Sequence, residues 1–331
     1  MTTSVLKAPF PWFGGKSKVA DIVWERFGDV RNYVEPFAGS LAVLLGRPHW
    51  PFDDNRIETV NDLDCFVANF WRALQSDPQA VTYYADWPVN EADLHARHLW
   101  LVNTAKSRIE RLRTEPEYYD AQIAGWWVWG ICQWIGSGWC HAPEWKQRPH
   151  LGAGMGVHRP SQQLPHLGDA GMGEGNSALG DYIALLADRL RRVRVCCGDW
   201  SRVCGPTPTF KQGLTGVFLD PPYTAAANRK AELYAQDSLD IGHDVCKWAI
   251  DNGENPELRI ALCGYEGEYA MPLNWECVAW KARGGYGSQG DGSTSGRENS
   301  RKERIWFSPH CLKVVSLGGQ KTLLFTEDMQ Q

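Results

Sequence analysis

Short apolar strands that end at polar or glycine-bearing turns alternate with amphipathic helices along much of this chain. Strands are predicted over residues 32–35, 57–62, 194–198, 216–220 and 259–263, with shorter ones near 277–280, 305–308 and 322–325. Helices are predicted over residues 40–45, 66–74, 178–192 and 238–252. Such alternation produces a mainly parallel sheet with helices on both faces, and ligands bind beyond the carboxyl ends of its strands. The sequence therefore predicts an α/β fold with a site at that edge.

A long middle segment interrupts the alternation after the breaker at Asp77 and Pro78. Helical patterning runs through residues 91–113, and a Gly/His/Pro-rich stretch covers residues 148–175. Between them lies a tryptophan cluster, residues 126, 127, 129, 134, 139 and 145. Helical spacing within the cluster favours packing in a core over contacts with a ligand.

Composition excludes several classes of protein. The chain has 34 basic and 39 acidic residues, a formal net charge of −5, so any nucleic-acid binding must use a local basic patch. Ten cysteines without a CxxC pair favour reduced thiols, and Cys132, Cys140 and His141 are the nearest approach to a metal cluster, too weak to predict a metal. The sequence shows neither a secretory signal nor an apolar run of about 18 residues, so a cytoplasmic location without a membrane is expected.

Asp220-Pro-Pro-Tyr223 follows an apolar strand and carries the most informative chemistry. Two prolines lack the N–H groups that a central strand needs, so the chain must leave the sheet and present Asp220 and the Pro221 carbonyl at its rim. Two acceptors beside an aromatic ring suit a planar heterocycle with an exocyclic amine. The alternative is an ordinary proline-stiffened loop.

Four more motifs precede it, each at a turn or strand end: Pro11-Trp-Phe-Gly-Gly-Lys16, Val34-Glu-Pro-Phe-Ala-Gly39, Asn61-Asp62 and Gly198-Asp-Trp200. In this order the five motifs closely resemble the Dam-type (D12 class) DNA adenine N6-methyltransferases, over roughly residues 8–75 and 190–325. The resemblance implies a class I, Rossmann-like methyltransferase sheet in a catalytic domain of residues 1–76 and 190–331. It also implies an inserted target-recognition domain, mainly helical and loop-rich, over residues 77–189.

The resemblance further implies roles for individual residues. The catalytic motif would be Asp220, Pro221, Pro222 and Tyr223. The cofactor S-adenosylmethionine, with S-adenosylhomocysteine as product, would contact Trp12, Gly15, Lys16, Glu35, Pro36, Phe37, Gly39, Asp62, Asp199, Trp200 and Asp220. No metal is required. Asp62 could instead cap a helix, and Leu41 departs from the family by standing near the position of an expected second glycine in the cofactor turn.

Two basic regions are candidates for DNA contacts. Lys146, Arg148 and Arg159 lie in or directly before the glycine-rich stretch, where contacts with phosphates or base edges compete with a solvated loop. Arg283, Arg297, Arg301 and Lys302 lie in a predicted mobile loop over residues 283–304, which fits clamping of the DNA backbone.

We therefore expect site-specific methyl transfer to N6 of adenine in double-stranded DNA. The resemblance is to orphan enzymes of bacteria or phages, which implies the cytoplasm of a bacterial or phage-infected host cell. The biological role stays open between protection in restriction-modification and regulation. The oligomeric state is open, with a monomer favoured. The alternatives are N4 of cytosine or RNA adenine as the acceptor, and a non-catalytic DNA-binding protein on a methyltransferase scaffold.

Overall fold

The computed structural model describes residues 6–12, 14–52, 55–88, 91–134, 139–140, 176–222, 238–280, 302–317 and 320–324. Within these residues, seven strands form one sheet in the order β3-β2-β1-β4-β5-β7-β6. Its strands are β1 (Asn32–Glu35), β2 (Ile57–Asp62), β3 (Arg194–Cys197), β4 (Thr215–Leu219), β5 (Leu258–Tyr265), β6 (Glu276–Ala279) and β7 (Glu303–Phe307). A separate antiparallel pair comprises β8 (Lys313–Leu317) and β9 (Gln320–Leu324).

The sheet is mixed. Strands β3, β2, β1, β4 and β5 are parallel to their neighbours, whereas β7 runs antiparallel to both β5 and β6. Every residue of the central strands β1 and β4 is buried, including the polar Asn32 and Glu35 at the two ends of β1. The strand order reverses between β1 and β4, which places the expected binding edge at the carboxyl ends of these two strands.

The helices in the described part of the chain are α1 (Ala20–Phe27), α2 (Ala42–Leu45), α3 (Cys65–Ser76), α4 (Pro78–Ala85), α5 (Glu91–Trp100), α6 (Lys106–Ile109), α7 (Ala121–Ile131), α8 (Asn176–Leu190) and α9 (Ser238–Asn252). A π-helical turn over Leu101–Ala105 joins α5 to α6. The predicted break at Asp77 and Pro78 does end α3, but it also begins α4. Pro78 is the first residue of α4, and Asp77 accepts a hydrogen bond from the Ala80 N–H at 3.0 Å.

The tryptophan cluster packs into the core, as its spacing predicts. Trp127, Trp129, Trp134 and Trp139 are buried in one apolar cluster that also contains Trp71 of α3. Trp126 is partly buried against the same cluster, while Trp145 lies outside the described residues. The helices of the middle segment thus share a core with α3.

One glutamine side chain joins the two ends of this middle segment. Near the end of α3, Gln75 Nε2 donates to the carbonyl oxygens of Leu190 and Val193, the latter at 2.8 Å. The chain therefore leaves α3 and returns after α8 at neighbouring points.

A second polar tie lies deeper in the fold. Glu58 of β2 accepts hydrogen bonds from two arginines, Arg47 at 3.0 Å and Arg189 of α8 at 2.7 Å. All three side chains are at most 5% exposed. Helix α8 is thereby held to the sheet by a buried ionic network.

The predicted loop over residues 283–304 is wrong at its end. Residues 303 and 304 belong to β7, where Glu303 is buried and Arg304 pairs with Glu266 at 2.6 Å. Residues 283–301 lie outside the described residues. Among the described helices none is long and apolar enough to cross a membrane.

Candidate active site

The motifs found in the sequence meet at the carboxyl edge of the parallel strands. Asn61, at the end of β2, connects three of them: its side-chain amide donates to the Pro36 carbonyl at 3.1 Å and to the Gly198 carbonyl at 2.9 Å. Backbone bonds reinforce the junction, from Ala38 N–H to the Asn61 carbonyl at 2.8 Å and from Gly198 N–H to the Asp62 carbonyl at 3.0 Å. The ends of β1, β2 and β3 are therefore fixed relative to one another.

Lys16 and Asp220 form an ion pair across this edge. Lys16 Nζ lies 2.9 Å from Asp220 Oδ2, and the two side chains are 5% and 22% exposed. The same ammonium donates to the Gly14 carbonyl at 2.9 Å and lies 5.6 Å from the centre of the Trp280 ring. Burial is the largest single influence and lowers the pKa of Lys16, but the charge and hydrogen bond of Asp220, together with Cys263 and Glu303, more than offset it, so the pKa is raised and Lys16 stays protonated.

Glu35 lies inside the protein next to this pair. The Tyr33 hydroxyl donates to Glu35 Oε2 at 2.9 Å, and the residue is 3% exposed. Burial raises the pKa of Glu35 to about 8, with the nearby negative charge of Asp220 acting in the same direction. The structure therefore places a mainly neutral carboxyl group behind the Asp220 carboxylate at neutral pH.

The turn after β1 depends on Gly39. Its backbone is left-handed, with φ of +44°, and a Cβ at this position would lie 2.4 Å from Trp12 Nε1. The Gly39 N–H donates to Asp62 Oδ2 at 2.9 Å, and its carbonyl accepts from Trp71 Nε1 at 2.9 Å. Only glycine fits this close approach of backbone and indole.

Leu41 adopts the conformation that an expected glycine would favour. Its φ is +53° and ψ +28°, and its side chain is fully buried in the core. This left-handed residue delays the helix predicted from residue 40, so α2 begins at Ala42. The turn after β1 thus contains two left-handed residues, Gly39 and Leu41.

The acidic residues after β2 have separate roles. Asp64 is the N-cap of α3, because its side chain accepts from the Phe66 N–H at 2.8 Å. Asp62 is not that cap: its carboxylate bridges the Gly39 N–H and the Asp64 N–H, the latter at 2.9 Å. It remains partly exposed at the edge of the sheet.

A mainly polar cleft of about 590 Å³, with Arg72, Arg113 and Arg202 in its lining, begins beside Asp62. Leu63, Gly198 and Asp199 contribute to its lining. Asp199 is exposed and accepts from the Ser201 N–H at 2.9 Å, and 61% of the Leu63 surface is exposed.

Near this cleft Trp200 stacks on Phe37, with ring centres 6.3 Å apart and 26° between the planes. Both rings are partly exposed. Carboxylate acceptors beside flat apolar side chains suit a purine nucleoside.

The remaining predicted site residues lie either at the carboxyl edge of the sheet or elsewhere in the chain. Gly15 N–H donates to the Trp12 carbonyl at 3.2 Å, Pro221 is buried and Pro222 is partly buried. Lys302 is exposed immediately before β7. Tyr223, Lys146, Arg148, Arg159, Arg283, Arg297 and Arg301 lie outside the described residues.

Sequence reasoning missed some residues of this site. Trp280, which directly follows β6, and Glu303 of β7 lie in segments without a recognisable motif. Tyr33 of β1 directly precedes the Val34–Gly39 motif, but nothing local to it indicates the hydrogen bond to Glu35. Leu63 was identifiable, because a large apolar residue stands between a strand-ending aspartate and a helix-capping one. Within the described residues, no group of three or more His, Cys, Asp or Glu side chains is arranged to hold a metal ion.

Strand order, the glycine turn and the convergent acidic residues together define an α/β, Rossmann-like fold of the class I methyltransferase type. The family model described as D12 class N6 adenine-specific DNA methyltransferase matches residues 12–120, which confirms the resemblance over that part of the chain and supports DNA adenine methylation. The matched range includes Lys16, Glu35 and Asp62 but ends before Asp220. No curated protein matches the chain.

Proposed function

We propose that this protein is a site-specific DNA methyltransferase that transfers a methyl group from S-adenosylmethionine to N6 of adenine in double-stranded DNA. The ion pair between Lys16 and Asp220 is the observation that carries the proposal. It joins the matched N-terminal motif to the acceptor motif at the end of β4, 204 residues later in the chain, as a single active site requires.

The cofactor supplies an activated methyl group, and the residues at the edge fit its parts. Asp62 and Asp199 offer carboxylate oxygens for ribose hydroxyls and an adenine amine, respectively. Phe37, Trp200 and Leu63 offer apolar surface for the purine ring. These assignments use the partly exposed groups of the edge.

Asp220 and the Pro221 carbonyl are the proposed acceptors for the target amine. The lone pair of that amine is delocalised into the purine ring, so the amine is a poor nucleophile. Acceptors on its hydrogens favour a more tetrahedral nitrogen and stabilise the positive charge that develops there. Lys16 donates to Asp220 and holds the carboxylate in place, and the neutral Glu35 behind it adds no competing charge.

The target base must leave the duplex to reach this edge. We propose that Tyr223 stacks on it, that the segment of residues 77–189 reads the sequence, and that the basic loop before β7 contacts phosphates. Lys146, Arg148 and Arg159 would then affect sequence preference, whereas Arg283, Arg297, Arg301 and Lys302 would affect affinity for all sequences alike. A salt titration of the loop variants separates the two: loss of a phosphate contact lowers the slope of log K against log salt by up to about 0.9.

The decisive experiment incubates the purified protein with DNA and S-adenosylmethionine and identifies the methylated nucleoside by mass spectrometry. N6-methyladenine is expected, whereas N4-methylcytosine, or methylation of RNA alone, would overturn the assignment of the acceptor. Asp220→Ala should abolish transfer while DNA affinity is retained, because it removes an acceptor required for the reaction. Asp251→Ala is the matched control, since this carboxylate lies on the surface of α9 and forms an ion pair with the exposed Lys247. Transfer by the Asp220 variant within a few-fold of the wild type would refute the site.

A further inference from the structure

Two cysteines, Cys65 and Cys197, face one another beside the cleft that Leu63, Gly198 and Asp199 line. Their sulfur atoms are 3.5 Å apart, and both residues are partly exposed. Cys197 ends β3 and lines the cleft, while Cys65 begins α3. The proposed methyl transfer uses neither thiol.

The distance between the two sulfurs is close to what a covalent bond needs. Sulfur atoms in a disulfide are about 2.05 Å apart, so an approach of about 1.5 Å would close the pair. Both residues sit at the end of a regular element, where small backbone shifts are easiest. Each also has access to solvent, which an incoming reagent requires.

The surroundings favour one sulfur as the nucleophile. The hydrogen bond between the two sulfurs and the Arg113 guanidinium lower the pKa of Cys197 to about 7 against the opposing effect of partial burial. The same hydrogen bond raises the pKa of Cys65. The adjacent Cys196 is partly exposed as well, but burial raises its pKa. Cys197 is therefore the thiol expected to react first at neutral pH.

We propose that Cys65 and Cys197 form a thiol modification site that reacts with a low-molecular-weight disulfide and closes to an intramolecular disulfide. In the first step the Cys197 thiolate attacks one sulfur of the reagent RSSR, which forms a mixed disulfide and releases one thiolate RS⁻. In the second step Cys65 gives its proton to solvent and attacks Cys197 Sγ, which releases the second RS⁻. The reagent is reduced to two thiols, and the protein pair is oxidised.

The position of the pair gives the modification a structural consequence. Cys197 is the register partner of Asp62 in the pairing of β2 with β3. Cys65 directly follows Asp64, whose N–H donates to Asp62. A bond between the two sulfurs would link the two segments that flank Asp62, and its formation does not depend on the proposed methyl transfer.

The test treats the reduced, full-length protein with oxidised glutathione at pH 7, alkylates the remaining thiols and maps all ten cysteines by peptide mass spectrometry. The proposal predicts a linked peptide containing Cys65 and Cys197. Cys65→Ser should instead retain a glutathione adduct on Cys197, because the resolving thiol is gone. That adduct should form at least about fivefold faster than any adduct on Cys196. Cys197 has the larger fraction of thiolate at pH 7, and this advantage exceeds the loss of nucleophilicity that accompanies its lower pKa.

Cys196→Ser is the matched control, because this neighbouring thiol lines the same cleft. It should give the same linked peptide as the wild type, because Cys196 takes no part in the proposed disulfide. Circular dichroism checks that each variant is folded. Equal alkylation of Cys65, Cys197 and Cys196 in the wild-type protein after oxidation would overturn the proposal. That result concerns the wild-type protein, so it stands whether or not a variant folds.

Discussion

Removing the carboxylate of Asp220 should destabilise the protein more than removing the ammonium of Lys16. The Lys16 side chain is 5% exposed, whereas that of Asp220 is 22% exposed and can recover some hydration. Breaking a buried ion pair costs about 3–5 kcal/mol, because one charge is left without its partner. Lys16 retains the Gly14 carbonyl as an acceptor, so we expect a loss of about 3 kcal/mol for Asp220→Ala and about 1–2 kcal/mol for Lys16→Met.

A double-mutant cycle measures the interaction directly. With both charges removed, Lys16→Met/Asp220→Ala should be destabilised by about 1–2 kcal/mol, less than the sum of the single changes, which gives a coupling of about 3 kcal/mol. Urea unfolding of the four proteins at pH 7 provides the free energies of unfolding. The exposed pair Lys247 and Asp251 on α9 is the control, with an expected coupling below about 0.5 kcal/mol.

The dependence of this coupling on pH tests its ionic origin. Because the pKa of Lys16 is raised in the folded protein, the contribution of the pair is complete below the pKa of an unfolded lysine and declines only as pH rises toward the folded value. The coupling should therefore be the same at pH 7 and pH 9. Additive effects of the two substitutions at pH 7, within about 0.5 kcal/mol, would refute the reasoning.

Three further predictions follow from the geometry of the edge and its support. Glu35→Gln should flatten the stability profile between pH 4.5 and 8. The buried carboxyl, whose pKa is raised from 4.5 to about 8, keeps its proton in the folded protein after the unfolded chain has lost it, so wild-type stability falls as pH rises through this window. Urea unfolding at pH 5 and 8 measures the change. An equal difference in the free energy of unfolding between these two pH values for both proteins would contradict the prediction. Glu58→Gln should cost about 3 kcal/mol or more by leaving two buried guanidiniums without their carboxylate, whereas Asp29→Asn, in an exposed pair, should cost less than about 1 kcal/mol; thermal and urea unfolding compare them. Gly39→Ala should displace the Trp12 ring and weaken binding of S-adenosylhomocysteine, measured by calorimetry, and unchanged affinity would show that this turn does not contact the cofactor.

Much of the sheet was predictable because its central strands are buried on both faces. β1 (Asn32–Glu35) and β2 (Ile57–Asp62) have the predicted bounds, since each contains β-forming residues and is followed by polar or proline-bearing residues. The ends of these strands also contain the motifs, so the edge that carries the candidate site followed from the sequence. Helix α9 has its predicted bounds as well.

Other features depend on contacts between distant parts of the chain. Local pattern places the Glu303 and Arg304 pair in a loop, but β7 forms there because Glu303 is buried near Lys16 and Arg304 pairs with Glu266. β8 was missed because its lysine and serine interrupt the apolar pattern. The approach of Cys197 to Cys65 depends equally on the pairing of β2 with β3, for which no local signal exists.

The contact of Gln75 with Leu190 and Val193 has a consequence for protein engineering. A segment whose entry and exit meet at one side chain can be lengthened, shortened or exchanged with little effect on the spacing of the strands around it. An exchange within residues 77–189 would have to keep the side chains that pack against α3 and also Arg189, whose guanidinium donates to Glu58, because these contacts join the segment to the sheet. Under the proposed function, such an exchange would change the part of the chain that reads the DNA sequence and leave the candidate active site in place.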